Sequence, residues 1–380
     1  MTNLGNKSWV EINATALRSN IGALRSALNP GAQFCAVVKA NAYGHGLEPI
    51  VRLASLEGIA HFAADSVDEA MAVRRLAPNA TIFILGFSVP ERFTDIITNR
   101  LIQTVYRAEQ VNLIAQKAAE IQSQALVNIK IETGTNRQGI PENQIPDLIR
   151  AIKKNERALT VVGVSSHLSD SENTDDQSIV RNQLDRFRSV VSALNASGIN
   201  PKFAHIACSA AAMLQPDAHF NMARFGIAMY GLWPSESLRK KMRISGKIDL
   251  KPVMSLQSVI AQVKDIAAGD FIGYSRGFRA DRPMRIAVLP IGYYDGYRRA
   301  YEGADVLIHG QRCRNVGHIC MNMTMVDVSA IAQVSAGDHA TLIGRDGMNQ
   351  ISAEDLAGQA GTINYEVVTS IGAHLPKIVI

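Results

Sequence analysis

From residue 34 onward the chain alternates two hydrophobic patterns. Short unbroken apolar runs read as buried strands: FCAVV (34–38), IAHFAA (59–64), ATIFIL (80–85), LIQTVY (101–106), ALVNIKIE (125–132), LTVVGVSS (159–166), KFAHIA (202–207) and NMARFG (221–226). Between them, segments such as VDEAMAVRRLA (67–77) and AEQVNLIAQKAAEIQ (108–122) carry apolar residues at helical spacing. This alternation predicts parallel βαβ units, and eight such units predict an α/β fold closed as a (β/α)8 TIM-type barrel. After about residue 240 the helical period fades. VMSLQSVIAQV, MRIAVLPIGY, ADVLIHG, TMVDVS and HATLIG, broken by Gly and Asp turns, predict a mostly-β C-terminal domain. The expected division is a barrel over residues 13–240 and a β domain over 241–380. The basic stretch LRKKMRISGK (238–247) at the join reads as a solvated linker.

Composition narrows the classes. The chain has 380 residues, 47% hydrophobic and 19% charged, enough for a sizeable core. The formal charge of +5 is scattered, with no Lys/Arg block interleaved with aromatics, so nucleic acid is not the expected partner. A modest positive field suits anionic small molecules. Cys35, Cys208, Cys313 and Cys320 form no CxxC pair and read as reduced thiols. The first twenty residues lack the apolar stretch of a secretory signal, and no apolar run reaches the roughly 18 residues of a membrane span. The expectation is a soluble cytoplasmic protein without membrane contact.

In barrels of this type the reactive groups sit at the C-terminal ends of the strands. Lys39 ends the first run. Arg137 follows the fifth, His167 the sixth and Ser209 the seventh, while Arg224 and Gly226 lie at the eighth. A lone strand-end lysine commonly snorkels to water. Burial beside the apolar run would instead make it a nucleophilic amine. Ser209 and Gly226 read most simply as a helix cap and a turn. Yet the loops after strands seven and eight are also where barrels bind phosphate, and a hydroxyl beside a glycine suits a dianion. A lysine and a phosphate site in one barrel mouth point to pyridoxal 5'-phosphate, which needs both. No metal-ligand pattern accompanies them.

Several longer motifs carry a resemblance. AVVKANAYGHG resembles the cofactor-lysine signature of alanine racemases, and SWVEINATALRSNIGAL resembles the family's opening. RFGIAMYGLWP, GYSRGF, LPIGYYDGYRR, VGHICMNMTMVDV, GDHATLIGRDG and TINYEVVTSIG are similar to its later blocks, in order and over both domains.

The resemblance implies a barrel and a β domain, with the opening strand (1–12) joining the latter. It implies head-to-tail homodimers in which the partner's β domain completes each site. The implied reaction interconverts L- and D-alanine, a supply of D-alanine for cell-wall precursors. Lys39 would hold the cofactor and act as acid/base on one face of the substrate. Tyr274, reaching in from the other subunit, would be the opposing base. A phenol needs help to ionise near neutral pH, and His167 and Arg224 would form the polar chain behind it, a cationic neighbour lowering its pKa. Arg224 would also face the pyridine nitrogen, a charged donor where most enzymes of this cofactor place a carboxylate. Tyr43, Ser209, Gly226, Ile227 and Tyr365 would hold the phosphate. Met321 would bind the substrate carboxylate through its backbone N–H, Arg137 would lie near that carboxylate, and Tyr293 would stand at the entrance. Lys130 is the usual partner of Arg137 and is often carbamylated in the family.

Three departures stand out, and the last two, close to the cofactor or substrate, bear on substrate preference more than on reaction type. ETGTNRQG replaces the usual DTGM-x-R-x-G, Cys208 replaces an asparagine, and Asn322 replaces an aspartate. A wider pocket or a neutralised carboxylate could admit serine or a basic amino acid. A fold-type III decarboxylase is the nearest enzyme rival, but its Cys-Glu-Ser-Gly block and Gly-triplet loop are absent. A single-barrel cofactor carrier would lack the second domain, and an inactive homologue would have no need of the acid/base groups.

Overall fold

The computed structural model describes residues 5–246 and 248–380. The first strand, β1 (Ser8–Ile12), belongs with the C-terminal strands. The next eight are β2 (Gln33–Val37), β3 (His61–Ala64), β4 (Thr81–Ile84), β5 (Ile102–Val105), β6 (Ala125–Lys130), β7 (Leu159–Ser165), β8 (Phe203–His205) and β9 (Met222–Phe225). Each lies within or at the edge of one of the apolar runs. They pair in parallel in the order β8-β7-β6-β5-β4-β3-β2-β9, so the last strand pairs with the first of the set. At the seam between β8 and β9, Arg224 N–H donates to Ala207 O at 3.1 Å. Helices follow the strands around the sheet, giving the (β/α)8 barrel.

Why these runs become strands is visible in their burial. Phe62, Phe83 and Phe225 are fully enclosed. Phe34 stacks on Phe225 with ring centroids 4.3 Å apart, and Phe83 meets Phe203 edge-on at 5.9 Å. The periodic segments became helices for the complementary reason. In Val67–Leu76 the residues Val67, Ala70 and Val73 are buried, and Ser66 caps the start by accepting from Glu69 N–H.

The stretch expected as a solvated linker is instead a helix, Glu236–Ser245. Ser235 accepts from Leu238 N–H at its start, Gly246 takes a left-handed conformation at its end, and Leu238 and Met242, one turn apart, are buried. Cap signals and an i, i+4 apolar pair outweighed a basic composition. Lys247 lies outside the described residues.

The chain divides into two compact units: Ala16–Ala42 with Ile50–Lys251, and the described residues through Thr15 with Tyr43–Pro49 and Pro252–Ile380. In the second unit, β10 (Met254–Val259) pairs antiparallel with β1, which also pairs in parallel with the last strand, Lys377–Val379. Two helices, Ala353–Ala360 and Asn364–Thr369, interrupt the otherwise β-rich unit. Among the described residues no helix is long and apolar enough to cross a membrane.

Phe83→Ala should cost about 3–5 kcal/mol of barrel stability, the usual range for an enclosed phenylalanine. Urea unfolding of the apo-protein checks this. An unchanged midpoint would mean that Phe83 is not in the packed interior.

Candidate active site

The register of the barrel strands brings the candidate residues to one rim. Ala36 pairs with Phe225, so Lys39 and Gly226 leave neighbouring strands at the same end. Lys130 pairs with Ser165 and Ser165 with His205, which places Lys130, His167 and Ser209 along that same end of β6, β7 and β8.

Lys39 does not simply end a strand. The four residues after it, Ala40, Asn41, Ala42 and Tyr43, all have φ of 53–54°, a left-handed turn of non-glycine residues. Such a conformation costs roughly 1–2 kcal/mol per residue, so the surroundings must hold it. Glu69 does so. Its carboxylate accepts from Asn41 N–H at 3.2 Å and from Asp65 N–H at 3.0 Å. The Lys39 side chain is 42% exposed, more open than a buried strand end implies, and its Nζ lies 3.9 Å from Asp65 Oδ1.

Arg224 is buried and held by neutral acceptors. Its guanidinium donates to His205 Nδ1 at 2.7 Å, His205 O at 2.8 Å and Ser166 O at 2.8 Å, with longer bonds to His167 Nδ1 and Ile206 O at 3.3 Å. An arginine keeps its charge there. Burial pushes the imidazoles of His167 and His205 well below the ordinary range, and Arg224 pushes both the same way. Both are therefore neutral. Because Nδ1 of each accepts from Arg224, Nε2 carries the proton, and that of His205 donates to Asn128 Oδ1 at 3.1 Å. Burial, with Arg224 and then Arg137, also drives the Lys130 amine far below its usual value.

Arg137 sits exposed on the loop after β6. Its base is closed by Ile140 N–H donating to Lys130 O at 2.8 Å and Glu132 N–H to Ile140 O at 3.0 Å. Across the rim, Ser209 Oγ accepts from Gly226 N–H at 3.1 Å, leaving its own proton as a donor, and Ile227 is buried beside Gly226. The Ser209 hydroxyl, oriented by the Gly226 N–H, and the neighbouring Ile227 N–H are donors suited to a phosphate dianion. With the Lys39 amine and the Arg224 donors at the same rim, the residues fit pyridoxal phosphate. Cys208 turns its thiol to Ser171 Oγ at 3.0 Å. Among the described residues no His/Cys/Asp/Glu group could hold a metal ion.

The other candidates lie in the second unit. Tyr43 and Tyr365 come together there, their ring centroids 6.2 Å apart. A glycine permits it: a Cβ on Gly44 would stand 1.9 Å from Val368 O, on the helix that carries Tyr365. Tyr293 and Met321 are likewise joined, since Tyr293 N–H donates to Cys320 O and Tyr294 N–H to Met321 O, both at 3.0 Å. Tyr274 stands 71% exposed on the turn Tyr274–Arg276.

Sequence reasoning passed over Asp295, although it lies inside the quoted LPIGYYDGYRR. This buried carboxylate accepts from Gly292 N–H at 3.0 Å and Asn322 Nδ2 at 3.4 Å, and its Oδ1 lies 2.9 Å from His374 Nε2. It thereby ties the Tyr293 turn to the residue after Met321. Here Asn322 is the donor, a role an ionised aspartate could not take. Glu69, too, was passed over, because nothing in its own sequence marks a residue that braces a distant turn.

Comparison with known proteins identifies the family. A family model for the N-terminal domain of alanine racemase matches residues 12–234, and one for its C-terminal domain matches residues 253–379. An alanine racemase of Methanococcus maripaludis is 36% identical over 371 residues, 97% of this chain and 98% of that protein. One from Desulforamulus reducens is 36% identical over 375 residues, 98% of each. The crystal structure of alanine racemase from Bacillus anthracis with bound L-Ala-P is 33% identical with a TM-score of 0.93, covering 100% of this chain and 96% of that one. Matched in order through both of its domains, the chain belongs to the alanine racemase family.

Proposed function

We propose that this protein is a pyridoxal phosphate-dependent isomerase that interconverts L- and D-alanine, acting as a cytoplasmic homodimer whose two sites are each shared between subunits. The observation that carries this reading is the single rim holding Lys39, a permanently charged Arg224, a neutral His167 and the Ser209–Gly226 donor pair. The family membership supports it, as does a thiol set of four free cysteines. The product would serve as a cell-wall precursor.

When bound, the cofactor supplies an electron sink for the charge left on the substrate Cα. The chain's own residues do the rest. Lys39 Nζ exchanges a proton with one face of that carbon, and the Oη of the partner subunit's Tyr274 exchanges one with the other. Racemisation needs both, because a single base would return the proton to the side it came from. His167 hands on the influence of Arg224 in a modified form. The expectation of a cationic neighbour for the phenol gives way to a neutral imidazole whose Nε2–H donates to a phenolate oxygen and so favours ionisation. Arg224 would face the ring nitrogen of the bound cofactor as a donor that keeps its own proton, a role that would limit the delocalisation that side reactions need.

Ser209, Gly226 and Ile227 would hold the phosphate, and the family resemblance gives Tyr43 and Tyr365 the same role. Arg137, with Lys130 as its neighbour, and the Met321 N–H receive the substrate carboxylate, while Tyr293 guards the entrance. Burial favours the uncharged amine at Lys130, the form that accepts carbon dioxide, which supports its carbamylation.

Reduction of the cofactor-loaded protein with borohydride should leave the cofactor covalently attached to the Lys39 peptide, read by mass spectrometry. A label on another lysine would remove the assignment. Tyr274→Phe should slow racemisation by about 10²–10⁴-fold, the usual scale of an acid/base group. Near-normal turnover would exclude the phenol as a base. Chiral chromatography over a panel of L-amino acids should find alanine turned over fastest. A faster serine or lysine would move the substrate assignment within the same reaction.

A further inference from the structure

Tyr274 is carried by a very small structure. The strands flanking its turn, Phe271–Ile272 and Phe278–Arg279, form only the pairs Phe271–Arg279 and Ile272–Phe278. A hairpin this short has little stability of its own. The turn is also strained, since Ser275 and Arg276 have φ of 54° and 55°. Its closing bond is Gly277 N–H donating to Tyr274 O at 3.0 Å. Outside, the Arg276 guanidinium lies 5.4 Å from the centroid of the Phe271 ring. An exposed phenol required to meet a carbon atom at a fixed angle needs firmer support than this.

The support lies directly beneath. A Cβ on Gly277 would stand 2.7, 2.8 and 3.0 Å from Nε2, Cδ2 and Cε1 of His318, so this glycine rests on the imidazole ring. A Cβ on Gly273 would stand 3.3 Å from the backbone N of the same residue. The two glycines that bracket Tyr274 are therefore seated on one side chain and its own backbone. The ring is fixed in turn. His318 Nδ1 lies 2.9 Å from Glu302 Oε2, and Arg299 Nε donates to Glu302 Oε1 at 3.2 Å. The His318 and Arg299 bonds hold the Glu302 carboxyl below its ordinary range against the opposing effect of burial. An ionised Glu302 only accepts, so His318 Nδ1 carries the proton in that bond.

We propose that His318, oriented by Glu302, is the positioning residue for Tyr274: its ring is the seat that sets where the phenol oxygen stands. The inference rests on the reading of Tyr274 as a base. It assigns His318 no contact with substrate. A loosened seat should change how well one proton transfer is aligned and leave substrate binding nearly alone.

The test compares His318→Ala, His318→Gln and Tyr274→Phe, each loaded with cofactor and each checked for the Lys39 borohydride label. His318→Ala should lower kcat by on the order of tenfold to a hundredfold, the scale of a misplaced reacting group, with KM changed less than about twofold. The Cα-deuterium isotope effect should rise in one direction of racemisation only, the same direction in which Tyr274→Phe raises it. Amide exchange at Gly277 should quicken while exchange in the barrel strands stays as in the wild type. His318→Gln, whose amide reaches the same place under Gly277, should restore most of the rate. A rate equal to wild type, an isotope effect that rises equally in both directions, or a loss confined to KM would overturn the proposal. If Tyr274→Phe itself gives no one-sided isotope effect, the phenol is not the base and the role of His318 falls with it. If Tyr274→Phe gives it and His318→Ala does not, only the role of His318 is lost.

Discussion

A guanidinium that cannot lose its proton sits at the rim of the barrel among acceptors that carry no charge. Arg224 is bonded to backbone carbonyls and imidazole nitrogens contributed from the ends of β7 and β8. A fixed positive charge in a buried place reinforces what burial does to the protonation of its neighbours. Burial keeps His167 and His205 neutral and presses on Lys130, and Arg224 adds to the effect at all three. Once those imidazoles are neutral, their hydrogen-bond directions are settled, and the chain from Arg224 through His205 to Asn128 follows without choice. Asn128 then donates onward to Thr104 Oγ1 and Ser165 Oγ, so the polar thread ends inside the barrel fully paired.

The second constraint is geometric. A lysine that must reach outward from a strand end needs the chain to turn away at once. The left-handed run after Lys39 does this with alanine, asparagine and tyrosine where glycine would be easier. The strain is balanced by the Glu69 carboxylate and by Ala42 N–H donating to Val38 O at 2.8 Å. Functional positions commonly bear such local cost, which the rest of the fold must offset.

Much of this was legible in the sequence, and the reasons differ by element. The barrel strands announce themselves because each is short, apolar and fenced by polar residues. Lys39, His167, Ser209 and Arg224 could be placed because a parallel barrel puts every strand's end on one rim. The helix at Glu236–Ser245 was missed because a run of basic residues hid two buried positions four apart. Whether Lys39 is exposed or buried was left open, because an apolar run says nothing about the turn that follows it. Asp295, Glu69 and the passage of Tyr43–Pro49 into the second unit were not legible. They depend on which distant segments meet, and local pattern carries no record of that.

The pairing of β1 has a consequence for how the molecule comes into being. This strand is synthesised before the barrel, yet its neighbours are β10, which opens the C-terminal part of the second unit, and the segment Lys377–Val379, both made after the barrel. Val10 and Ile12 are wholly enclosed in the finished protein. Their native partners on both sides are synthesised only after the entire barrel. A nascent chain that has not yet reached Lys377–Val379 leaves one edge of β1 unpaired, the kind of surface that chaperones hold and that neighbouring chains can capture.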